Sequence, residues 1–88
     1  MVSVVIVNFN TRDVLRECLK TLKKEKLPLQ IIVVDNASSD GSVQMVKNEF
    51  AGVDVVVSPS NTGLSAGNNR GLAHALGDYV LFMGSDAF

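Results

Sequence analysis

Four short apolar runs alternate along the chain with segments that have a helical pattern. The runs cover residues 3–7, 31–34, 53–57 and 79–83, and none of them shows strict alternation of apolar and polar positions. Nearly continuous apolar character is typical of strands that are covered on both faces. Because strands and helices alternate, we expect parallel strands joined by right-handed crossovers. The pattern predicts an α/β fold, a Rossmann-like sheet with strand order 3-2-1-4 and helices on both faces.

The first helix is predicted from an apolar stripe between the first two runs. Apolar residues recur there at spacings of three and four, which places them on one face of a helix: Val14, Leu15, Cys18, Leu19 and Leu22. A short polar side chain, Asn10 or Thr11, is expected to cap the helix start. Pro28 is expected to end the segment before the second strand.

The second and third helices follow the second and third apolar runs. The second is predicted over residues 40–50, with Asp40 or Ser39 as its cap. The third is predicted over residues 65–76, and Gly77 is expected to stop it.

Three glycines, Gly63, Gly67 and Gly71, recur every four residues in the third helical segment. Glycine inside a helix costs about 1 kcal/mol relative to alanine. Because three glycines in one helix repeat that cost, we predict that the backbone of this helix lies very close to another group. Packing of the helix on the sheet is the commoner cause, and approach of a ligand to the helix is the alternative.

Composition narrows the class of protein. The chain has 88 residues, of which 47% are hydrophobic and 19% charged, and its formal net charge is −1. Because there is no cluster of Lys and Arg, nucleic acid is not an expected partner. The single cysteine, Cys18, excludes an internal disulfide and is expected in the core. No apolar run approaches the roughly 20 residues of a membrane helix, and we expect a cytoplasmic protein.

Polar residues that could carry chemistry follow the predicted strands. In a parallel sheet, ligands bind beyond the carboxyl ends of the strands where the strand order reverses, here between the first and fourth strands. Side chains of Asn10 and of residues 38–40 can also serve as helix caps or turn formers. For Asp35 and Asp86 a loop or surface role and a ligand role both stay open. The residues after the strands are Asn8, Asn10, Thr11, Asp35, Asn36, Ser38, Ser39, Asp40, Ser58 to Gly63, Ser85 and Asp86.

Two familiar phosphate-binding motifs are absent from the sequence. Residues 8–13 follow the first strand without a G-x-G-x-x-G pattern, and no G-x-x-x-x-G-K-[ST] occurs. His74 has no acidic or cysteine neighbours in the sequence, so it is not expected to bind a metal.

Four segments, in the right order and spanning nearly the whole chain, resemble the motifs of the family 2 glycosyltransferases of the GT-A fold. Residues 2–10 are similar to the family's opening strand, and residues 31–42 resemble its second strand and loop, V-V-D-D-G-S-x-D. Residues 61–71 resemble the N-x-G-x-x-x-A-x-N-x-G helix, and residues 77–87 resemble the strand that leads into the D-x-D motif. The variant at residues 34–38 looks most like a rhamnosyltransferase-type branch.

The resemblance implies donor-binding residues at these motifs. In the family, acidic residues after the second strand contact the uracil or thymine of the donor, and here the pair is Asp35 and Asn36. The amide oxygen of Asn36 could accept from an imide N–H, but its NH₂ group could equally donate to cytosine. The full set that we predict to bind the donor is Asn10, Asp35, Asn36, Gly63, Gly67, Asn69, Arg70 and Asp86.

The resemblance also implies Mg²⁺ or Mn²⁺ against the donor diphosphate, held by the D-x-D acids. Only the last acid of that motif is present, so Asp86 is the one predicted metal ligand. Gly84 stands where an acid or amide is expected, which predicts a weakened metal site. We expect these two separated acids, Asp35 and Asp86, to face a single diphosphosugar pocket.

The predicted function is that of a glycosyltransferase fragment. Residues 1–88 would be the incomplete N-terminal, nucleotide-sugar-binding part of an inverting enzyme, without its catalytic base or acceptor half. The complete enzyme would transfer a sugar from a UDP- or dTDP-linked donor to a glycan or lipid-linked acceptor at the inner face of the membrane. The alternative is a non-catalytic nucleotide-binding module, or one that forms a homodimer through an exposed sheet edge or apolar face. A small α/β protein that binds NAD or ATP is a weaker third hypothesis.

Overall fold

A computed structural model describes residues 1–84 as one four-stranded parallel sheet with three helices. The strand order is β3-β2-β1-β4, and every neighbouring pair is parallel, which confirms the predicted topology. The elements in chain order are β1 (Val2–Asn8), α1 (Arg12–Lys23), β2 (Leu29–Asp35), α2 (Ser42–Glu49), β3 (Asp54–Val57), α3 (Gly63–Leu72) and β4 (Tyr79–Gly84).

The larger core lies on the face of the sheet that α1 and α2 cover. Leu15, Cys18 and Leu19 of α1 are fully buried, whereas Val14 of the predicted stripe is 36% exposed. A fully buried leucine contributes on the order of 1.5–3 kcal/mol. These side chains share one cluster with residues of β1, β2 and α2: Val4, Ile6, Ile31, Val33, Met45, Val46, Phe50 and Val53.

The smaller core lies on the opposite face, under α3. Its buried residues are Val5, Ile32 and Val34. Glycine lets α3 approach closely there, because a Cβ atom at Gly67 would lie 2.8 Å from Cγ1 of Val7. The prediction of helices on both faces is therefore confirmed. Packing on the sheet accounts for Gly67 and Gly71, whereas a Cβ atom at Gly63 would meet nothing within 4 Å.

Helix α2 begins two residues later than predicted. Its N-cap is Gly41, whose φ of 84° is in the left-handed region that favours glycine, and not Asp40 or Ser39. Asp40 stays outside the helix because its carboxylate accepts hydrogen bonds from two backbone N–H groups, those of Arg12 and Ser42. The helix ends at Glu49 rather than at residue 50.

Helix α3 spans Gly63–Leu72 instead of residues 65–76. After Leu72 the chain makes two tighter turns, in which the N–H groups of His74 and Ala75 donate to the oxygens three residues earlier. The next two N–H groups are bonded to side chains at the amino ends of β1 and β2, so the helix does not continue. Leu76 N donates to Oε1 of Gln30 at 2.8 Å, and Gly77 N donates to Oγ of Ser3 at 2.8 Å. Gly77 does lie where the chain turns into β4, but it does not terminate the helix. Within residues 1–84, no helix combines the length and the apolar character that crossing a membrane would require.

Candidate functional site

The loops after β1 and β2 meet at the carboxyl edge of the sheet. Asn8 and Asp35, the last residues of these strands, are register partners. Gly84, the last residue of β4, pairs with Val7 of β1. The point where the strand order reverses therefore lies next to the end of β1, which is where ligands bind in open α/β sheets.

Asn8 joins the two loops and is fully buried. Its Nδ2 donates to Oδ1 of Asp35 at 3.1 Å and to Oγ of Ser38 at 3.3 Å. Its Oδ1 accepts from Oγ1 of Thr11 at 2.6 Å. The sequence placed Asn8 among the polar residues after the strands but not in the predicted binding set. Its position at the end of a buried strand was the signal for this role.

Asp35 is 1% exposed, and both of its carboxylate oxygens are hydrogen bonded. Oδ1 accepts from Asn8, and Oδ2 accepts from the backbone N–H of Ser38 at 2.8 Å. The backbone oxygen of Asp35 also accepts from the N–H of Ser58 at 2.8 Å. Asp35 thus holds the loop after β2 and the start of the loop after β3 in place.

Asn36 is 2% exposed and has a defined amide orientation. Its Nδ2 donates to the backbone oxygen of Gly63 at 3.2 Å, and its backbone N–H donates to the oxygen of Asn8 at 2.8 Å. Its Oδ1 is buried and has no hydrogen-bond partner among residues 1–84. A buried acceptor without a partner costs about 1–3 kcal/mol, which makes this oxygen a candidate to meet a donor from a ligand.

Asn10 fixes the loop after β1 against the loop after β2. Its φ is 51°, its N–H donates to Oγ of Ser38 at 2.9 Å, and its Oδ1 accepts from the N–H of Ser39 at 2.7 Å. The predicted cap is therefore only half right, because Thr11 occupies the N-cap of α1 without a side-chain cap hydrogen bond. Asp40 supplies that bond instead, since its Oδ2 accepts from Arg12 N–H at 2.9 Å.

An open groove of about 520 Å³ lies over this start of α1. Asp40 forms part of its lining. Burial alone would raise the pKa of Asp40, but hydrogen bonds from the Ser42 hydroxyl and from the backbone N–H groups of Arg12 and Ser42 outweigh it and hold the pKa below its ordinary value. The groove borders the loop cluster through Asn10 but is not lined by Asp35 or Asn36. Its lining residues are Asn10, Thr11, Arg12, Asp13, Val14 and Asp40.

The remaining predicted site residues are distributed along α3 and beyond. Gly63 contacts the cluster through Asn36, and its φ of 87° lies in the left-handed region that favours glycine. Gly67 packs against the side chain of Val7 on the sheet. Asn69 and Arg70 are exposed near the far end of α3 and are not brought to the cluster.

Asp86 lies outside the described residues, so its pairing with Asp35 around one pocket stays a prediction. Within residues 1–84 there is no group of three or more His, Cys, Asp or Glu side chains that could hold a metal ion. A smaller groove of about 140 Å³ separates α3 from β4 and is lined by Leu64, Asn68, Phe82, Met83 and Gly84.

Known proteins are similar to this chain in sequence and in fold. Residues 3–88 match the family described as glycosyl transferase family 2. Glycosyltransferase GlyA of Streptococcus pneumoniae is 34% identical over 97% of this chain and 13% of its own length. The cholesterol galactosyltransferase of Borreliella burgdorferi is also 34% identical, over 97% of this chain and 25% of its own length. The chain thus spans a quarter or less of these relatives.

Two solved structures have a similar fold. S. aureus TarS in complex with UDP-GlcNAc superimposes with a TM-score of 0.84 at 31% identity, over 97% of this chain and 26% of that one. A mannosyltransferase from Pyrobaculum calidifontis, in complex with GDP-Man and Mn²⁺, has a TM-score of 0.85 at 25% identity, over 97% and 27% of the two chains.

Proposed function

Since the chain belongs to glycosyl transferase family 2, we propose that residues 1–88 form the donor-binding part of an inverting glycosyltransferase. The parallel sheet with order 3-2-1-4 is the Rossmann-like half of the GT-A fold that its structural neighbours have. The donor is a nucleoside diphosphate sugar, which binds at the carboxyl edge of β1 and β2. Asp35 and Asn36 receive the base, and Asp86 receives the diphosphate with its metal.

The unpartnered oxygen of Asn36 carries this proposal. Because Nδ2 of Asn36 already donates to the oxygen of Gly63, the amide atom without a partner among residues 1–84 is its acceptor oxygen. Uracil and thymine present an imide N–H, and guanine presents a ring N–H, whereas the corresponding nitrogen of cytosine is an acceptor. A neutral hydrogen bond of this kind contributes about 0.5–1.5 kcal/mol. The orientation of Asn36 therefore supports a UDP- or dTDP-linked donor over a CDP-linked one.

A divalent metal completes the donor site in this proposal. Mg²⁺ and similar hard cations bind commonly through one or two carboxylates plus substrate phosphates. A single carboxylate, that of Asp86, fits this mode, while Gly84 offers no side-chain ligand. When bound, the metal would neutralise charge on the diphosphate leaving group. The Mn²⁺ of the mannosyltransferase complex supports a divalent ion, and Mn²⁺ or Mg²⁺ is our proposal for this chain.

The test is calorimetric titration of the chain with UDP, dTDP and CDP, each with and without Mn²⁺. We expect UDP or dTDP to bind and CDP to bind more weakly. Asn36→Ala should weaken UDP binding by up to about tenfold, the equivalent of one neutral hydrogen bond. Asn48→Ala, an equal substitution at an exposed position on α2, is the control and should change nothing.

The metal part of the proposal has its own readout. The Mn²⁺-dependent increase in affinity should disappear in Asp86→Ala, while the metal-independent binding remains. If no nucleoside diphosphate binds at all, the proposal for donor binding is wrong. If CDP binds as tightly as UDP, the role given to Asn36 is wrong.

The acceptor and the sugar belong to the longer enzyme that we propose. Its reaction is transfer to a glycan or lipid-linked acceptor in the cytoplasm, at the inner membrane face. The loop variant at residues 34–38 supports a rhamnosyltransferase-type branch as the finer proposal. A panel of UDP- and dTDP-linked sugars, including dTDP-rhamnose, tests the branch by competition with the bare nucleotides.

A further inference from the structure

Ser58, the first residue after β3, has a buried hydroxyl without a hydrogen-bond partner. The residue is 1% exposed, and its Oγ is unpaired in the part of the chain that the structure describes. Oδ1 of Asn36 is the other buried side-chain atom in this state among residues 1–84. Native proteins leave few buried polar atoms unpaired, so each one requires an explanation. Two such atoms in neighbouring loops indicate a group that binds to both.

The strand register places Ser58 next to Asn36. The N–H of Ser58 donates to the oxygen of Asp35 at 2.8 Å, which continues the parallel ladder between β2 and β3 by one residue. Two residues earlier in each strand, Val34 and Val56 are register partners that contribute to the small core under α3. Because side chains alternate between the two faces of a strand, Ser58 and Asn36 lie on that same face.

Ser58 is the buried first residue of an exposed loop. Residues 59–62, which lead from it to α3, are all exposed. Among the described residues, neither core contains a member of this loop. The loop can therefore move without disturbing the packing of the sheet, and such a movement gives a ligand access to the two unpaired atoms.

The two unpaired atoms have complementary chemistry. Oδ1 of Asn36 only accepts, whereas the hydroxyl of Ser58 can donate. They are not bonded to each other, so both remain for a third group. Uracil and thymine carry a carbonyl next to the imide N–H, which matches an acceptor beside a donor, and guanine has the same pattern. At the corresponding edge of cytosine the ring nitrogen accepts and the amino group donates, which is the opposite pattern.

We propose that Ser58 is a further residue of the donor site, and that its hydroxyl donates to the base carbonyl next to the N–H that Asn36 accepts. The inference rests on the proposed donor site and adds a second polar contact to base recognition. Without a nucleotide, the buried hydroxyl has no partner and lowers the stability of the fold. With a nucleotide, it gains a hydrogen bond. Ser58 therefore increases donor affinity and decreases the stability of the free protein.

Calorimetric titration of Ser58→Ala with UDP and with CDP tests the proposal, and urea titration of the same variant measures its stability. We expect UDP affinity to fall by up to about tenfold, the equivalent of one neutral hydrogen bond, and CDP affinity to stay the same. The free variant should be at least as stable as the parent, because an unpaired hydroxyl is removed from a buried position. Thr21→Ala, which removes an exposed hydroxyl from α1, is the control and should leave UDP affinity unchanged. Circular dichroism verifies folding, and Ser58→Cys, which has only a weak donor, replaces Ser58→Ala if the latter is not folded.

Three outcomes overturn the proposal. If Ser58→Ala binds UDP as tightly as the parent, the inference is wrong although donor binding stands, and a simultaneous loss of stability would assign the hydroxyl to a buried structural water. If UDP and CDP affinity fall by the same factor, the hydroxyl does not read the base. If the parent binds no nucleoside diphosphate, donor binding itself is wrong and the inference fails with it.

Discussion

Alanine in place of Gly71 would put a methyl group into the closest contact between α3 and the sheet. The new Cβ atom would collide with Cγ1 of Val5 and would lie 3.1 Å from Cγ2 of the same residue. It would also lie 3.2 Å from Cγ2 of Val34. Both valines are fully buried, and a β-branched side chain has few alternative rotamers with which to move aside. The helix must therefore shift away from the sheet.

Two opposing terms decide the size of the effect. Overpacking of a tight core costs about 1–3 kcal/mol, and a collision with a fully buried valine belongs in the upper part of that range. Alanine gains about 1 kcal/mol over glycine in helix propensity. The difference is a net loss of about 1–2 kcal/mol in the free energy of unfolding. For a domain of this size, each kcal/mol lowers Tm by about 4–8 °C.

Urea titration followed by circular dichroism measures this loss, with the m-value as a check that the same surface unfolds. Gly52→Ala is the matched control, because its new Cβ would meet only the flexible end of Lys23, at 3.2 Å from Nζ. That substitution should be neutral or slightly stabilising. Val5→Ala removes the obstacle, so Gly71→Ala combined with it should cost less than the sum of the two single changes.

The reasoning is refuted if Gly71→Ala is as stable as the parent or more stable, the result that helix propensity alone would give. A variant of unchanged stability that loses UDP affinity would instead show that the glycine serves the ligand. That outcome would restore the alternative to the packing explanation.

Two further predictions concern the loop cluster. Asn8→Ala should lower the free energy of unfolding by about 1–3 kcal/mol, because it withdraws a buried amide from Asp35 and Ser38, and urea titration against the exposed control Asn48→Ala measures it. A loss no larger than that of the control would contradict the linking role of Asn8. For Asp40, whose pKa is lowered on folding, the stabilisation is complete above the ordinary value of 3.8 and is lost as the pH falls through the lowered value. Asp40→Asn should therefore be less stable than the parent at neutral pH, and the difference should shrink on acidification in urea titrations at several pH values. A difference that stays constant down to the acid limit would show that the carboxylate charge is not what stabilises this loop.

Much of the architecture could be predicted from the sequence, for a physical reason. Apolar runs that alternate with helical stripes leave few arrangements, because crossovers between parallel strands are right-handed and strands with apolar runs need cover on both faces. The parallel order 3-2-1-4 and the burial of Leu15, Cys18 and Leu19 follow from those local patterns. The sequence motif alone also placed Asp35 and Asn36 at the carboxyl end of the second strand.

The contacts of the site, in contrast, were decided only by tertiary structure. Nothing in the local sequence indicates that Asp40 bonds the N–H of Arg12, 28 residues earlier, and so keeps α2 from starting at residue 40. The end of α3 depends likewise on Gln30, 46 residues before Leu76. The amide of Asn36 could face either way until the backbone oxygen of Gly63, 27 residues later, takes its NH₂ group. Sequence patterns report local conformational preference and burial, whereas these hydrogen bonds join groups that only the folded sheet brings within reach of each other.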